Sequence, residues 1–195
     1  QNCDCLIYNS QHTAERTEHW LTKWGIKTPG ITALLGVAES HLNVTRKPSE
    51  KPYFVCLGTI EPRKNHMLLL NIWRELTQDY NENSVPHLHI IGRRGWLNKD
   101  VFDVLDTAPM MGQTVFEHNN LDDTAVANLM AGARALLFPS FAEGFGYPLV
   151  EALQNKIPAI CSNLPCFQEL SADRPLYLDP SDTQAWKDAI LDHNK

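Results

Sequence analysis

From residue 53 onward, the apolar positions of the chain follow two alternating patterns. Short, nearly continuous apolar runs occur at Tyr53–Leu57, His87–Ile91, Thr114–Phe116, Ala135–Phe138, Pro158–Cys161 and Leu176–Leu178. Runs of that length, most of them ending at Gly, Pro, Ser or Asp, read as strands buried on both faces. Between them lie stretches with helical spacing. Asn65–Thr77 carries Met67, Leu70, Ile72, Trp73 and Leu76 on an apolar face. Leu97–Leu105 follows, and then a helix capped by Asp122 or Asp123 that runs through Met130. Pro148–Gln154, a single turn at Phe167–Leu170, and a last helix from Ser181 or Asp182 through Leu191 complete the series. This order predicts an α/β fold with a Rossmann-like, doubly wound, mostly parallel sheet.

Residues 1–45 are patterned differently. Cys5–Tyr8 reads as a short strand ending at Asn9-Ser10, and Thr13 as the cap of a helix that runs past Trp20 to Trp24 and stops at Gly25. Ile31–Leu35 reads as a second strand, followed by Gly36-Val37. The polar, twice proline-bearing stretch Arg46–Pro52 reads as a connection. The expected division is therefore residues 1–45, a remnant of one domain with its linker, and residues 46–195, one complete α/β domain.

Composition narrows the function only by exclusion. With 195 residues, 43% apolar and 21% charged, this is an ordinary globular chain. A net charge of −6 argues against general nucleic-acid binding. No apolar run reaches the roughly 20 residues that span a bilayer, and the first residues lack the basic and apolar regions of a signal peptide. Five cysteines without a framework suit a reducing cytoplasm, with Cys56 and Cys161 expected in the core. The eight histidines offer only His87-x-His89 as a spaced pair, which alternates along a strand, so no metal site is expected.

The chemistry concentrates after three strand ends, where an open parallel sheet binds its ligands. One loop is Gly58-Thr59-Ile60-Glu61-Pro62-Arg63-Lys64-Asn65. A second is Gly92-Arg93-Arg94-Gly95-Trp96. The third is Ser140-Phe141-Ala142-Glu143-Gly144-Phe145-Gly146-Tyr147, leading into Pro148 and Glu151. Two of the three carry adjacent cations in an acidic chain. Arg63 and Lys64 make a candidate diphosphate clamp, pairing a planar fork of donors with a compact charge. In the third loop Gly144 and Gly146 allow close backbone approach, and Pro148 suits the first position of a helix whose N-terminus favours an anion. Two carboxylates, Glu143 and Glu151, bracket the same turn. Carboxylates beside an anion site make sense when the ligand also carries hydroxyls, as a phosphate joined to sugars does.

The motif P-S-x-x-E-G-F-G-x-P-x-x-E, with seven residues between Glu143 and Glu151, resembles the E-x7-E signature of retaining glycosyltransferases of the GT-B fold. The resemblance is strongest to the large group that includes bacterial mannosyl- and glucosyltransferases of polysaccharide and lipopolysaccharide assembly. It covers the whole chain: Leu34-Leu35-Gly36-Val37 resembles the entry to the second domain, Glu61-Pro62-Arg63-Lys64-Asn65 a variant of the first loop, and Gly92 to Trp96 the Gly-x-x-Gly-Trp of the second. Many members carry Gly-Arg where this chain has Gly58-Thr59, so Arg63 has to supply the missing guanidinium. The resemblance implies a nucleotide-diphosphate sugar as donor, with GDP-mannose first and UDP-glucose next. Glu151 would hold the ribose hydroxyls, and Glu143 and the Phe145 and Gly146 N–H groups the sugar or distal phosphate. Arg63 and Lys64 would stabilise the leaving diphosphate. Gly58, Thr59, Arg93 or Arg94, and Leu121 would border the nucleotide. Tyr147 and Leu149 are candidates for the same pocket.

No Asp-x-Asp occurs, so no metal requirement and no cofactor are expected. The acceptor, a glycan or lipid-linked glycan, would sit on a first domain that this chain lacks, and relatives also send a return helix back after the last element. The expectation is a donor-binding portion, inactive alone, of a cytoplasmic enzyme that could associate peripherally with the inner membrane face. A dehydrogenase would need G-x-G-x-x-G after its first strand, which Gly58-Thr59-Ile60-Glu61 does not supply. A non-catalytic nucleotide-sugar-binding module, or a sugar-nucleotide epimerase of the same two-domain architecture, would share much of this pattern.

Overall fold

A computed structural model of the chain describes residues 3–36, 49 and 51–194. The expected domain boundary at residue 45/46, Val37 and most of the 46–52 connection lie outside the described residues.

Six strands form one parallel sheet: β3 (Tyr53–Leu57), β4 (His87–Ile91), β5 (Val115–His118), β6 (Leu136–Phe138), β7 (Ala159–Ser162) and β8 (Leu176–Leu178). Their order is β5-β4-β3-β6-β7-β8. The chain therefore builds outward from β3 to one edge, then returns to start again at β6, which creates a switch point between β3 and β6. The expected doubly wound α/β fold is the one observed.

Alternation along the strands assigns the two faces. Phe54, Cys56, Leu88, Ile90, Leu137 and Ile160 pack under α2 (His66–Asp79), α3 (Lys99–Thr107) and α7 (Thr183–Asn194). Tyr53, Val55, Leu136, Phe138, Ala159 and Cys161 pack under α4 (Asp123–Gly132), α5 (Tyr147–Gln154) and α6 (Pro165–Ser171). Trp73 and Trp186 are fully buried. Each passes its indole N–H to a carbonyl, of Pro86 at 2.8 Å and Asp179 at 2.9 Å, so neither donor is stranded.

The N-terminal segment forms β1 (Leu6–Tyr8), α1 (Gln11–Lys23) and β2 (Gly30–Thr32), with β1 and β2 paired in parallel as a separate two-stranded sheet. Several element ends differ from the sequence expectation. Ser10, not Thr13, caps α1: its Oγ accepts from the Thr13 N–H at 3.1 Å. The second strand ends at Thr32 instead of Leu35. Leu97 is not helical but exposed at φ 51°, and α3 starts two residues later. Tyr147 precedes Pro148 in α5, because Gly146 at φ 107° turns the chain in. The single turn at Phe167–Leu170 is a full α6. Asp122 and Asp182 are the caps among the paired choices, accepting from the N–H groups of Ala125 and Ala185.

His66, the first residue of α2, is 1% exposed, and neither ring nitrogen has a protein partner among the described residues. Burial, and then the charge of Lys64, pushes its pKa down to about 4. An unfolded histidine titrates near 6.5, so the unfolded chain takes up the proton first. The neutral His66 therefore contributes stability that is complete above about pH 6.5 and is lost as pH falls toward 4, on the order of 3 kcal/mol. Urea unfolding across that window is expected to show the loss, and His66→Leu to reduce it by a comparable amount. An undiminished loss in the variant would place the acid sensitivity elsewhere.

Candidate active site

The switch point brings two of the three loops into direct contact. After β3, a 3-10 turn at Pro62–Lys64 aims its cations across the gap, and Asn65 in the left-handed region at φ 55° redirects the chain into α2. After β6, Ser140 to Gly146 comes down beside it. Glu143 is the meeting point. Its Oε1 lies 2.7 Å from Lys64 Nζ, and its Oε2 lies 2.6 Å from the Arg63 guanidinium. The other side of that guanidinium lies 2.6 Å from Glu61 Oε1. Ser140 Oγ adds a hydrogen bond to Glu143 Oε1 at 2.9 Å. Lys64 Nζ also sits 4.6 Å from the centre of the Phe138 ring, a cation–π contact.

The side chains of Glu61, Glu143 and Lys64 are only 4%, 7% and 9% exposed, while Arg63 keeps 46%. Two anions and two cations sum to zero, which is how this cluster tolerates burial. Arg63 is the member that solvent, or a ligand, reaches most readily.

The loop backbone is held from several sides. Phe141 N–H donates to the Arg63 carbonyl at 2.7 Å, and Arg63 donates to the Ala142 carbonyl at 3.2 Å. Cys166 Sγ donates to the Glu143 carbonyl at 3.3 Å. Gly146 is required by geometry and by space: a Cβ there would lie 2.6 Å from the Phe167 ring. The N–H groups of Phe145 and Gly146, at the start of α5, donate to no protein group among the described residues. Glu151, on α5, is exposed. Partial desolvation, and then the Asp123 carboxylate, raises its carboxyl above the ordinary value.

A cleft of about 270 Å³ opens beside this cluster. Its lining includes Gly58, Thr59, Gly92, Arg93, His118 and Leu121. The first and second loops are in backbone contact here, and a Cβ on Gly92 would lie 2.1 Å from the Gly58 carbonyl oxygen. The structure separates the two adjacent arginines. Arg94 is bound to Glu117 through two nitrogens, at 2.8 and 2.7 Å, and to Asp106 at 2.7 Å, and these bonds raise its pKa. Arg93 makes no side-chain hydrogen bond or ion pair among the described residues, is exposed, and lines the cleft. Leu149 is fully buried core, and Tyr147 stacks edge-on against Phe145 with ring centres 5.3 Å apart.

Sequence reasoning placed Arg63, Lys64 and Glu143 in one site, and Gly58, Thr59, Arg93 and Leu121 around one cleft. It missed Glu61 and Ser140 as partners. Glu61 stands inside the same five-residue motif as Arg63, and Ser140 three residues before Glu143, so spacing was the available signal. It also missed the contact between His89 Nδ1 and His118 Nε2 at 2.8 Å. Burial, and then His118 and His87, push the His89 pKa down to about 4.

Paired cations, a carboxylate and the start of α5 thus meet at the switch point of a doubly wound domain, the place where such sheets hold their ligands. Residues 37–193 match the family described as glycosyl transferases group 1, and the chain belongs to that family. It is 38% identical over 206 residues to the "Serotype-specific mannosyltransferase WbdA" of Escherichia coli, covering 93% of this chain and 24% of that protein. It is 33% identical over 139 residues to the "O-antigen chain mannosyltransferase B" of Escherichia coli, covering 71% of this chain and 36% of the relative. The chain thus spans well under half the length of either relative. In fold it is similar to TarM of S. aureus, crystallised in complex with UDP among other ligands. The TM-score is 0.74 at 15% identity, over 98% of this chain and 37% of that one.

The pairing of Arg94 predicts a difference between neighbours. Arg94→Ala leaves Glu117, whose side chain is 14% exposed, without its partner, and is expected to cost about 1 kcal/mol of stability. Arg93→Ala is expected to change stability by less than about 0.5 kcal/mol. Denaturant unfolding of the two variants checks this, and equal losses would contradict the assigned contacts.

Proposed function

We propose that this chain is the donor-binding portion of a retaining glycosyltransferase that moves a hexose from a nucleotide-diphosphate sugar to a glycan or lipid-linked acceptor in polysaccharide or O-antigen assembly. GDP-mannose is the preferred donor in this reading and UDP-glucose the next. The observation that carries it is the neutral cluster of Glu61, Arg63, Lys64 and Glu143 at the switch point, beside the cleft that Arg93 and Leu121 border. The names of the two mannosyltransferase relatives support the choice of sugar.

In this reading the base and ribose occupy the cleft, with Glu151 accepting from the ribose hydroxyls. The diphosphate meets Arg63 and Lys64, and the sugar lies between Glu143 and the start of α5. Transfer breaks the bond from the anomeric carbon to the diphosphate oxygen, and the electron pair leaves with that oxygen. The acceptor oxygen bonds the same face of the carbon, and its proton passes to the departing phosphate. Charge grows on the leaving group as the bond breaks, so fixed cations and free N–H donors stabilise the transition state more than the bound donor. Two side-chain cations supply the charge a divalent ion supplies elsewhere, and we propose that no metal is required.

The N-terminal segment supports the reading that a further domain completes the enzyme. Parallel sheets are ordinarily covered on both faces. Here β1 and β2 hold three residues each, with Ile7 73% and Ile31 58% exposed, and Trp24, just past α1, 64% exposed. An acceptor-binding domain built onto this surface accounts for the exposure. No helix among the described residues is long and apolar enough to cross a membrane. A cytoplasmic enzyme, peripherally associated with the inner membrane face where lipid-linked acceptors lie, is the location we propose.

Calorimetric titration with GDP, UDP and ADP in the presence of a chelator tests the proposal. Micromolar binding of one of them is expected, weakened at least about a hundredfold in Arg63→Ala/Lys64→Ala by the loss of two charge-assisted contacts. Binding unaffected by that double change would remove the clamp from the reading. A second expectation runs against the usual effect of site mutations. Glu143 neutralises the same two cations the diphosphate needs, so Glu143→Gln is expected to tighten nucleotide-diphosphate binding several-fold while abolishing transfer by the full-length enzyme. Weakened nucleotide binding in Glu143→Gln would show that its carboxylate does not compete with the phosphates.

A further inference from the structure

The N-terminal segment grips the Glu143 loop from outside the donor domain. Ser10 Oγ lies 2.8 Å and Thr13 Oγ1 3.1 Å from the Gly144 carbonyl oxygen, and the two hydroxyls lie 2.9 Å apart, so the carbonyl accepts from both or from Thr13 while Ser10 gives its one proton to Thr13. Ser10 is fully buried, although it stands at the junction of two separate sheets. On the other side of the loop, the Tyr147 hydroxyl donates to the Gly36 carbonyl at 3.1 Å, so the segment is tied at a second point. Glu169 of α6 fixes the geometry. Its carboxylate accepts from the N–H groups of Gln11 at 2.8 and 2.9 Å and of His12 at 3.3 Å, at the positive end of α1. The capping residue of α1 therefore does two things at once: it accepts from its own helix and stands within hydrogen-bond reach of the loop.

We propose that Ser10 and Thr13, with Tyr147 returning the contact, form a clasp through which the N-terminal segment sets the position of Glu143; they are positioning residues that act through the loop backbone. The carbonyls of Ala142, Glu143 and Gly144 each meet a side chain from a different element, and of these three contacts only that of Gly144 comes from outside the α/β domain. A change in how the N-terminal segment sits is therefore transmitted to the residue next to Glu143. The consequence for ligands rests on the donor reading above: the clasp holds Glu143 toward the sugar it faces, and a displaced Glu143 also neutralises Arg63 and Lys64 less, so the sugar loses a contact while the nucleotide diphosphate does not.

The test uses the 195-residue chain. Ser10→Gly/Thr13→Val removes both hydroxyl protons while leaving a tolerated helix cap, and Ser10→Gly/Thr13→Ser returns one of them. Amide hydrogen exchange of residues 142–146 is expected to quicken about tenfold in the first variant and to recover in the second, with the amides of β3 and β4 unchanged. Affinity for GDP-mannose is expected to fall about fivefold or more relative to that for GDP, which is expected to hold or rise. Tyr147→Phe, at a partly exposed position, provides the same readings if the double variant does not fold. Unchanged loop exchange with faster exchange in α1 would reduce the contact to helix capping and overturn the clasp, as would equal losses for GDP and GDP-mannose. If the parent chain binds neither nucleotide, the donor reading fails, and the exchange measurement alone decides the clasp.

Discussion

The Glu143 carboxylate, shared between Lys64 and Arg63, is the contact on which the site depends. Nearly buried charges are costly unless each is paired, and a pair of this kind contributes little net stability compared with apolar packing. The cluster therefore makes poor sense as a device for holding β3 and β6 together, which the sheet already does through paired backbone and a continuous core. It makes sense as a way of storing two cations, at low exposure and in fixed positions, in a protein whose overall charge is negative. The same pairing sets the loop: with Phe141 and Ala142 bonded to Arg63, the backbone that carries Glu143 is built against the residue it neutralises.

The strand order explains why these residues meet. Starting the sheet in the middle and winding outward twice leaves the carboxyl ends of β3 and β6 adjacent, with their loops diverging to opposite sides. Arg63 and Glu143 are far apart in the chain and would not meet in a sheet wound one way. Glycines at the ends of β3 and β4 let the neighbouring loops touch through backbone, since a side chain at Gly92 would strike the Gly58 carbonyl. The cleft lies over that contact.

Much of this was legible in the sequence because it is encoded in short-range patterns. Strands advertise themselves as apolar runs, and three of the six match to the residue: Tyr53–Leu57, His87–Ile91 and Leu176–Leu178, although the last, at the sheet edge, is half-buried with Leu176 exposed and not covered on both faces as expected. The glycine spacing and the two glutamates were visible as a motif, and the motif pointed to the chemistry. What sequence could not supply was pairing. Arg93 and Arg94 are equivalent as text. Only the approach of Glu117 and Asp106, from β5 and α3, occupies one and leaves the other facing the cleft. Thr13 was expected to cap α1, and the cap is Ser10 instead, where the chain is extended at φ −157°. The reach of both hydroxyls to Gly144 crosses most of the chain and has no local signature.

Charge placement bears on how an acidic chain could present the anion site proposed for it. Net charge acts over distances that salt screens, whereas a ligand in a cleft responds to groups within a few ångströms. Several of the cations described in ion pairs are committed to structure: Lys187 to Glu75 and Asp79 at the α2–α7 contact, Arg94 to Glu117 and Asp106. Those pairs tie the two cations to neighbouring elements, away from the switch point. At the cleft Arg93 has no ion-pair partner among the described residues, and at the switch point Arg63 and Lys64 share a loop carboxylate. Such a carboxylate, carried on a short loop beside glycines, is the easiest of all these partners to exchange for a phosphate. The acidic balance of the chain is then compatible with the proposed donor reading, because a surface that repels anions in general does not prevent a cleft lined by local cations from accepting one.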